Sequence, residues 1–249
     1  MFLLVFIKIF QNKQEMGKAA AQMAAKILQE VLQSKNKACF VAATGASQFE
    51  FLDALCNHDK INWKKTEMFH LDEYLGLPAN HPASFKNYLK KRLVAKVKPG
   101  KVFFIQGDAP NPIYECKRIS DLISKRKIDV AFVGMGENGH LAFNDPPADF
   151  KTKESYIVVS LDAKCRKQQF NEGWFKSIEE VPKKAITMSI NEIMRAKNII
   201  CTCPDKRKAE AVRNCLSDKA KISPENPASI LKNHPRVMCF LDRYSSSLL

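Results

Sequence analysis

Between Gly134 and Pro146 the chain reads Gly-Met-Gly-Glu-Asn-Gly-His-Leu-Ala-Phe-Asn-Asp-Pro, which gathers three of its nine glycines and one of its five histidines beside carboxylates. A histidine changes charge near neutral pH, so His140 has the chemistry to give or take a proton, with Asn138 and Asp145 placed to hold its ring by hydrogen bonds. A lone histidine is more often structural, and loop glycines often mark only a turn. Here the preceding run, Ile128 to Val133, predicts a buried parallel strand. The glycine turn would then open at a strand's carboxyl end, where α/β sheets place ligands.

Two more strand ends carry chemistry. Thr44-Gly45-Ala46-Ser47 follows the apolar run Cys39 to Ala43 and precedes a helix, so its hydroxyls and backbone N–H groups can cradle a phosphate. The plainer reading is a helix cap by Ser47. A Walker lysine is missing, which disfavours nucleoside triphosphates. In His70-Leu71-Asp72-Glu73-Tyr74-Leu75-Gly76-Leu77 the two carboxylates are adjacent, and neighbouring strand residues face opposite ways. Only one of Asp72 and Glu73 is therefore expected to serve as a base, and the plain alternative is a pair of capping or salt-bridging acids.

Gly134, Gly136 and Gly139 also match the dinucleotide fingerprint, with Asp162 placed as a ribose-binding acid after the run Tyr156 to Leu161. That fingerprint needs a helix starting within the glycines. Asn144-Asp145-Pro146-Pro147 stops any such helix within about two turns, so nicotinamide binding is the weaker reading.

The elements that must position these loops alternate. After a first strand from the apolar start through Phe10, Met16, Ala19, Ala20, Met23, Ile27, Leu28 and Val31 recur at helical spacing in a helix ending near Ser34. Strands are predicted at Ala38 to Ala43, Glu67 to Leu71, Lys101 to Ile105, Ile128 to Val133, Tyr156 to Leu161, Ala185 to Ile190, Ile199 to Cys203 and Val237 to Leu241. Helices are predicted at Gln48 to Cys56, Ser84 to Val94, Pro112 to Lys125, Lys206 to Leu216 and Ala228 to Lys232. This order predicts an α/β fold with a single doubly wound, mostly parallel sheet and helices on both faces. With no repeat or linker, residues 1–249 read as one domain.

A formal charge of +14 points to an anionic partner. The basic run from Lys86 to Lys101 reads as a solvated helix face, and no nucleic-acid-reading motif accompanies it, so no nucleic-acid partner is expected. Eight cysteines without a paired framework suit a reducing, cytoplasmic setting, and no C-x-x-C knuckle pair supports a zinc site, so no metal is expected. The apolar start is broken by Lys8, short of the ~20 residues of a membrane helix, and lacks a basic leader and cleavage site; no membrane partner or signal peptide is expected.

Nearly the whole chain resembles the glucosamine-6-phosphate deaminase/isomerase family, in the wider group that also holds 6-phosphogluconolactonases. The likeness rests on Thr44 to Ser47, on Leu71-Asp72-Glu73-Tyr74-Leu75-Gly76-Leu77, and on Gly134 to Pro146. Val181-Pro182 with Ala185 to Met188, Lys208 to Val212, and Pro227-Ala228-Ser229 through His234-Pro235 extend it. Phe143-Asn144-Asp145-Pro146, and Tyr74 where the lactonase branch has arginine, favour the deaminase side.

The resemblance implies a Rossmann-like fold and conversion of glucosamine 6-phosphate and water to fructose 6-phosphate and ammonia, with no cofactor. It implies Asp72 as the base at C2, His140 with Asn138 and Asp145 as the group that opens the sugar ring, and Thr44, Gly45, Ala46, Ser47 and Lys208 as phosphate ligands. The family's phosphate-binding arginine falls near Gln169, so Arg166, three residues earlier, is expected to substitute. Asn138 and Asp145 stand where well-known members carry aspartate and glutamate. Galactosamine 6-phosphate, a phosphogluconolactone and a noncatalytic sensor role remain as alternatives. The chain ends at Leu249 without the extension of longer hexameric relatives, which leaves a homo-oligomer open.

Overall fold

The computed structural model describes residues 5–249. Ten strands occur among them: β1 (Phe6–Phe10), β2 (Ala38–Ala42), β3 (Thr66–His70), β4 (Asp72–Tyr74), β5 (Lys101–Phe103), β6 (Val130–Gly134), β7 (Tyr156–Ser160), β8 (Lys184–Met188), β9 (Ile199–Cys203) and β10 (Val237–Asp242). Seven of them form a sheet in the order β1-β10-β9-β6-β2-β3-β5, and every pair in it is parallel. The chain builds outward from β2 through β3 to β5 on one side and from β6 through β9 to β10 on the other. The winding therefore reverses between the neighbours β2 and β6, and the loops at their carboxyl ends part to leave a crevice.

Alternation along these strands feeds two cores, as a doubly wound sheet requires. Phe40, Phe132 and Phe240 face the long helix α1 (Lys13–Lys35) and α2 (Phe49–Cys56), meeting Met16, Ala20, Leu28 and Phe51. Val41, Val133, Cys201 and Leu241 face the other side. Ala20, Ala21, Ala24 and Ala25 are all buried, so small side chains let α1 lie close on the sheet. Asn12 caps its start and Asn36, with φ 58°, ends it in the left-handed conformation.

The α/β doubly wound class holds, but two strands expected in the main sheet leave it. β7 and β8 join β4 in a three-stranded antiparallel sheet of order β4-β8-β7. β2 and β9 are buried throughout, as parallel strands covered on both faces must be, whereas β7 at the edge of the small sheet is only partly buried after Tyr156.

The helix predicted from Ser84 opens with Ser84 as its cap, runs as α3 (Phe85–Leu89), widens into a π-turn over Lys90–Val94 and closes as α4 (Ala95–Val97). α5 (Pro112–Ile123) starts on Asn111 and Pro112 as its sequence requires. The segments predicted from Gln48 and Lys206 begin as 3-10 turns, Ala46–Gln48 and Lys206–Lys208, before α2 and α8 (Ala209–Leu216). Pro227–Asn233 is 3-10 throughout. Two helices are additions to the expectation: α6 (Ala163–Asn171), largely polar and set by its Asp162 cap, and the short α7 (Ile190–Met194). The first strand is described from Phe6; its expected opening over Met1 to Leu4 lies outside the described residues. All eight cysteines are free, and seven are buried. No helix among the described residues is long and apolar enough to cross a membrane.

Candidate active site

The carboxyl ends of β2, β3, β6 and β9 open into one cleft. Thr44 to Ser47 leave β2, Leu71 and Asp72 follow β3, Gly134 to His140 leave β6, and Pro204 to Lys208 leave β9; α6 adds Gln168, Gln169 and Glu172. The three segments singled out in the sequence thus meet, because all three sit at the same edge of one parallel sheet.

The turn after β6 is built around an imidazole. Gly139, at φ 82°, takes a conformation that side chains rarely adopt, and Gly136 donates its N–H to the His140 carbonyl at 2.9 Å. A β-carbon on Gly136 would lie 2.3 Å from both Cε1 and Nε2 of His140, so the ring packs directly on glycine backbone. Nδ1 sits 3.1 Å from Asp145 Oδ1, close enough for charge pairing though not aligned as a hydrogen bond. Nε2 meets no protein partner among the described residues and is the nitrogen left for a ligand.

Asp145 is held as a carboxylate. Burial pushes its pKa up, but contact with His140, the Asp162 N–H at 3.1 Å on Oδ2 and the Asn138 amide at 3.4 Å on Oδ1 outweigh that and lower it. Asn138 was expected to hold the ring as Asp145 does. Instead its Oδ1 accepts the His140 backbone N–H at 3.2 Å and its amide reaches Asp145 and Asp162, so it fixes the loop and not the imidazole. The next residue in the motif, Asn144, donates to the carbonyls of Leu141 at 2.8 Å and Met188 at 2.9 Å, which ties this loop to β8.

Strand alternation separates the two adjacent acids. Glu73 turns from the cleft and accepts from the Ser84 hydroxyl and from the N–H groups of Tyr74, Phe85 and Lys86, all within 2.8–3.1 Å. Its task is to anchor the start of α3. Asp72 lines the cleft, is buried, and has no hydrogen-bond partner at Oδ1. Burial, and then the charge of Glu73, raise its pKa well above the ordinary carboxyl range. Asp72 pairs across to Thr187 on β8, whose hydroxyl accepts the Phe143 N–H at 3.0 Å. The small sheet therefore holds the Asp72 and His140 segments in one frame.

The other end of the cleft suits an anion. Ser47 caps nothing; the 3-10 turn over Ala46–Gln48 has no side-chain cap. Gly45, at φ 89°, turns the chain so that the N–H groups of Gly45, Ala46 and Ser47 meet no protein acceptor among the described residues. Gln48 pins this turn by donating to Thr202 Oγ1 at 2.8 Å. Opposite, Lys208 is buried without an ion-pair partner among the described residues, and burial lowers its pKa.

One expected ligand is misplaced. Arg166 is turned away from the cleft: Nε donates to the Val181 carbonyl at 3.2 Å and Nη2 to that of Ile178 at 2.6 Å, which ties down the segment after α6. Gln169, at the family's arginine position, accepts the Tyr74 hydroxyl at 2.6 Å. The second cation of the cleft is Arg207, which the sequence reading passed over; it reaches Glu137 at 3.2 Å. Its only sequence signal was its place in the run Lys206-Arg207-Lys208.

Residues 11–239 match the family described as glucosamine-6-phosphate isomerases/6-phosphogluconolactonase. Glucosamine-6-phosphate deaminase from Bacillus pumilus is 35% identical over 245 residues, which cover 96% of this chain and 98% of that one. Glucosamine-6-phosphate deaminase 1 from Bacillus subtilis is 35% identical over 92% of this chain and 94% of its own length. A solved monomeric glucosamine-6-phosphate deaminase superposes with a TM-score of 0.89 at 32% identity, over 98% of this chain and 100% of that one. The 6-phosphogluconolactonase of Trypanosoma brucei, with a TM-score of 0.79 at 19% identity over 100% of both chains, shares the fold.

Proposed function

Because this chain belongs to the glucosamine-6-phosphate isomerase/6-phosphogluconolactonase family, we propose that it is an enzyme converting glucosamine 6-phosphate and water to fructose 6-phosphate and ammonia, in the cytoplasm. The observation that carries this reading is the meeting of two groups in one cleft: a desolvated acid, Asp72, and an imidazole backed by a carboxylate, His140 with Asp145. An anion site lies at the same opening.

The proposed reaction starts with the closed sugar. His140 Nε2 takes the proton of the anomeric hydroxyl and returns it to the ring oxygen, and the ring C–O bond breaks to leave an open-chain aldehyde. Asp145 stabilises the imidazolium that forms in between. Asp72 then removes the proton on C2; its electron pair forms the C1–C2 double bond of an enolamine, and the aldehyde oxygen gains a proton. Return of a proton to C1 leaves a C2 iminium, which water attacks to give the ketone and free ammonia. Every step is a proton transfer or an addition that these groups can serve, and each transfer is of the kind that positioned side chains accelerate by about 10² to 10⁴.

The cleft is built from loops at one edge of a single sheet, which supports the reading of residues 1–249 as one domain. The positive charge is assigned to the phosphate end, where Lys208, Arg207 and the free N–H groups after β2 gather. Lys208→Ala and Arg207→Ala are each expected to raise KM for sugar phosphate by about 10-fold or more, the worth of one charge-assisted contact. Arg166→Ala is expected to leave KM within about twofold and to lower the melting temperature, since it removes only the Ile178 and Val181 contacts. A KM defect in Arg166→Ala equal to that of Arg207→Ala would reverse this assignment.

Ammonia release from glucosamine, galactosamine and mannosamine 6-phosphates, run beside hydrolysis of 6-phosphogluconolactone, tests the proposal. Glucosamine 6-phosphate is expected to give the highest kcat/KM. Acid from the lactone with no ammonia from any hexosamine would make the chain a lactonase. Binding without turnover of any of them would make it a sensor.

A further inference from the structure

We propose that His140, Asp145 and Cys165 form a site for a soft divalent cation such as Zn²⁺, and that an ion bound there switches the enzyme off. Cys165, in the first turn of α6, takes no part in the reaction derived above, yet it is buried against the acid of the imidazole pair. One ligand atom from each of the three side chains lies within 4.8 Å of the others, and the Nδ1 to Oδ1 separation is 3.1 Å. Zinc bonds of about 2.0–2.3 Å in a tetrahedron set neighbouring donors roughly 3.3–3.8 Å apart, so nitrogen and oxygen already have nearly that spacing and the sulfur needs only a side-chain adjustment.

The His140 side chain is only 9% exposed and its Nδ1 faces Asp145 Oδ1 at 3.1 Å, so two of the three donors are already buried together. The support around the three donors is in place: Asp162 accepts the Cys165 N–H and donates its own N–H to Asp145, while Asn138 holds the other carboxylate oxygen. A carboxylate and a thiolate neutralise a divalent charge, and the sulfur favours Zn²⁺ or Cd²⁺ over Mg²⁺ or Ca²⁺. Binding releases the Cys165 thiol proton to solvent as the metal–sulfur bond forms. Solvent supplies the fourth ligand, because the three side chains complete only three corners.

The ion would take the nitrogen that Asp145 serves. With Nδ1 metallated, the imidazole stays neutral and keeps its proton on Nε2, so it can no longer accept the anomeric proton. The Asp72 side of the cleft and the anion cradle are untouched, so kcat falls while KM for substrate holds. This inhibition rests on the role proposed for His140; occupancy of the site does not.

Metal-stripped wild type and Cys165→Ser are compared in two titrations. In the first, Zn²⁺ or Mg²⁺ is added during ammonia release from glucosamine 6-phosphate. Wild type is expected to lose at least about 10-fold in kcat with Zn²⁺, to ignore Mg²⁺ and to recover with a chelator; Cys165→Ser is expected to keep its basal rate and to need about 10- to 100-fold more Zn²⁺. In the second, Cd²⁺ is followed by its thiolate charge-transfer absorption, and the band of wild type is expected to lose the contribution of one site in the variant. Cys165→Ala repeats both if the serine variant unfolds. Equal zinc sensitivity and equal cadmium bands in wild type and variant overturn the site. A band that depends on Cys165 without any loss of wild-type rate overturns the switch, while the His140 reading is decided separately by the cyclic and open-chain rates of His140→Gln.

Discussion

Asp72→Asn is expected to lose about 10² to 10⁴ in kcat while KM for glucosamine 6-phosphate stays nearly constant, because the variant keeps the shape of the cleft and removes only the group that takes the C2 proton. The anion cradle and Lys208 belong to other loops, so binding has no reason to change. The same variant should be more stable than wild type at neutral pH. Burial and the neighbouring Glu73 raise the Asp72 pKa, so the folded protein binds this proton more tightly than the unfolded chain does. The stability linked to such a group is complete below the unfolded value, about 3.9, and is lost as pH rises through the higher folded value. Asparagine has no charge to bury. The melting temperature of Asp72→Asn should therefore pull ahead of wild type progressively as pH is raised from about 4. Near-normal ammonia release by the folded variant would remove Asp72 from the reaction.

His140→Gln is expected to lose about 10² to 10⁴ in rate on cyclic glucosamine 6-phosphate and far less on an analogue locked in the open chain, which needs no proton carried to the ring oxygen. Glutamine keeps a polar group near Asp145 but cannot take and return a proton. Stopped-flow or steady-state rates on the two substrates separate the roles. Equal losses on both would move His140 from ring opening to binding or to the isomerisation itself.

What the sequence made legible is set by range. Thr44 to Ser47, Asp72 and Gly134 to Asp145 each lie at the end of an apolar run that only a buried strand explains, so their convergence followed from the parallel sheet alone. The division of labour between Asp72 and Glu73 was likewise readable, since strand alternation forces them apart. Arg166 was not. Its helical offset from Gln169 is local, whereas the carbonyls that claim its guanidinium belong to Ile178 and Val181, and nothing in a periodic pattern announces such a contact. Arg207 was hidden in the same way within three consecutive cations, of which the 3-10 turn brings Arg207 and Lys208 to the cleft. The small antiparallel sheet went unseen because β4 is three residues long, too short to carry a pattern of its own.

The contact between the Gly136 backbone and the His140 ring sets how this enzyme can be varied. A saturation library at position 136 should return a single residue among its active clones: even alanine places a methyl group 2.3 Å from the imidazole, and the ring must then leave the posture that keeps Nδ1 by Asp145 and Nε2 toward the substrate. Position 138 should keep a side-chain donor in the same screen, because its amide serves two carboxylates, Asp145 and Asp162. An engineer who wants a different sugar in this cleft has the α6 wall to work with, Gln168 and Glu172, and must treat the floor under the histidine as fixed.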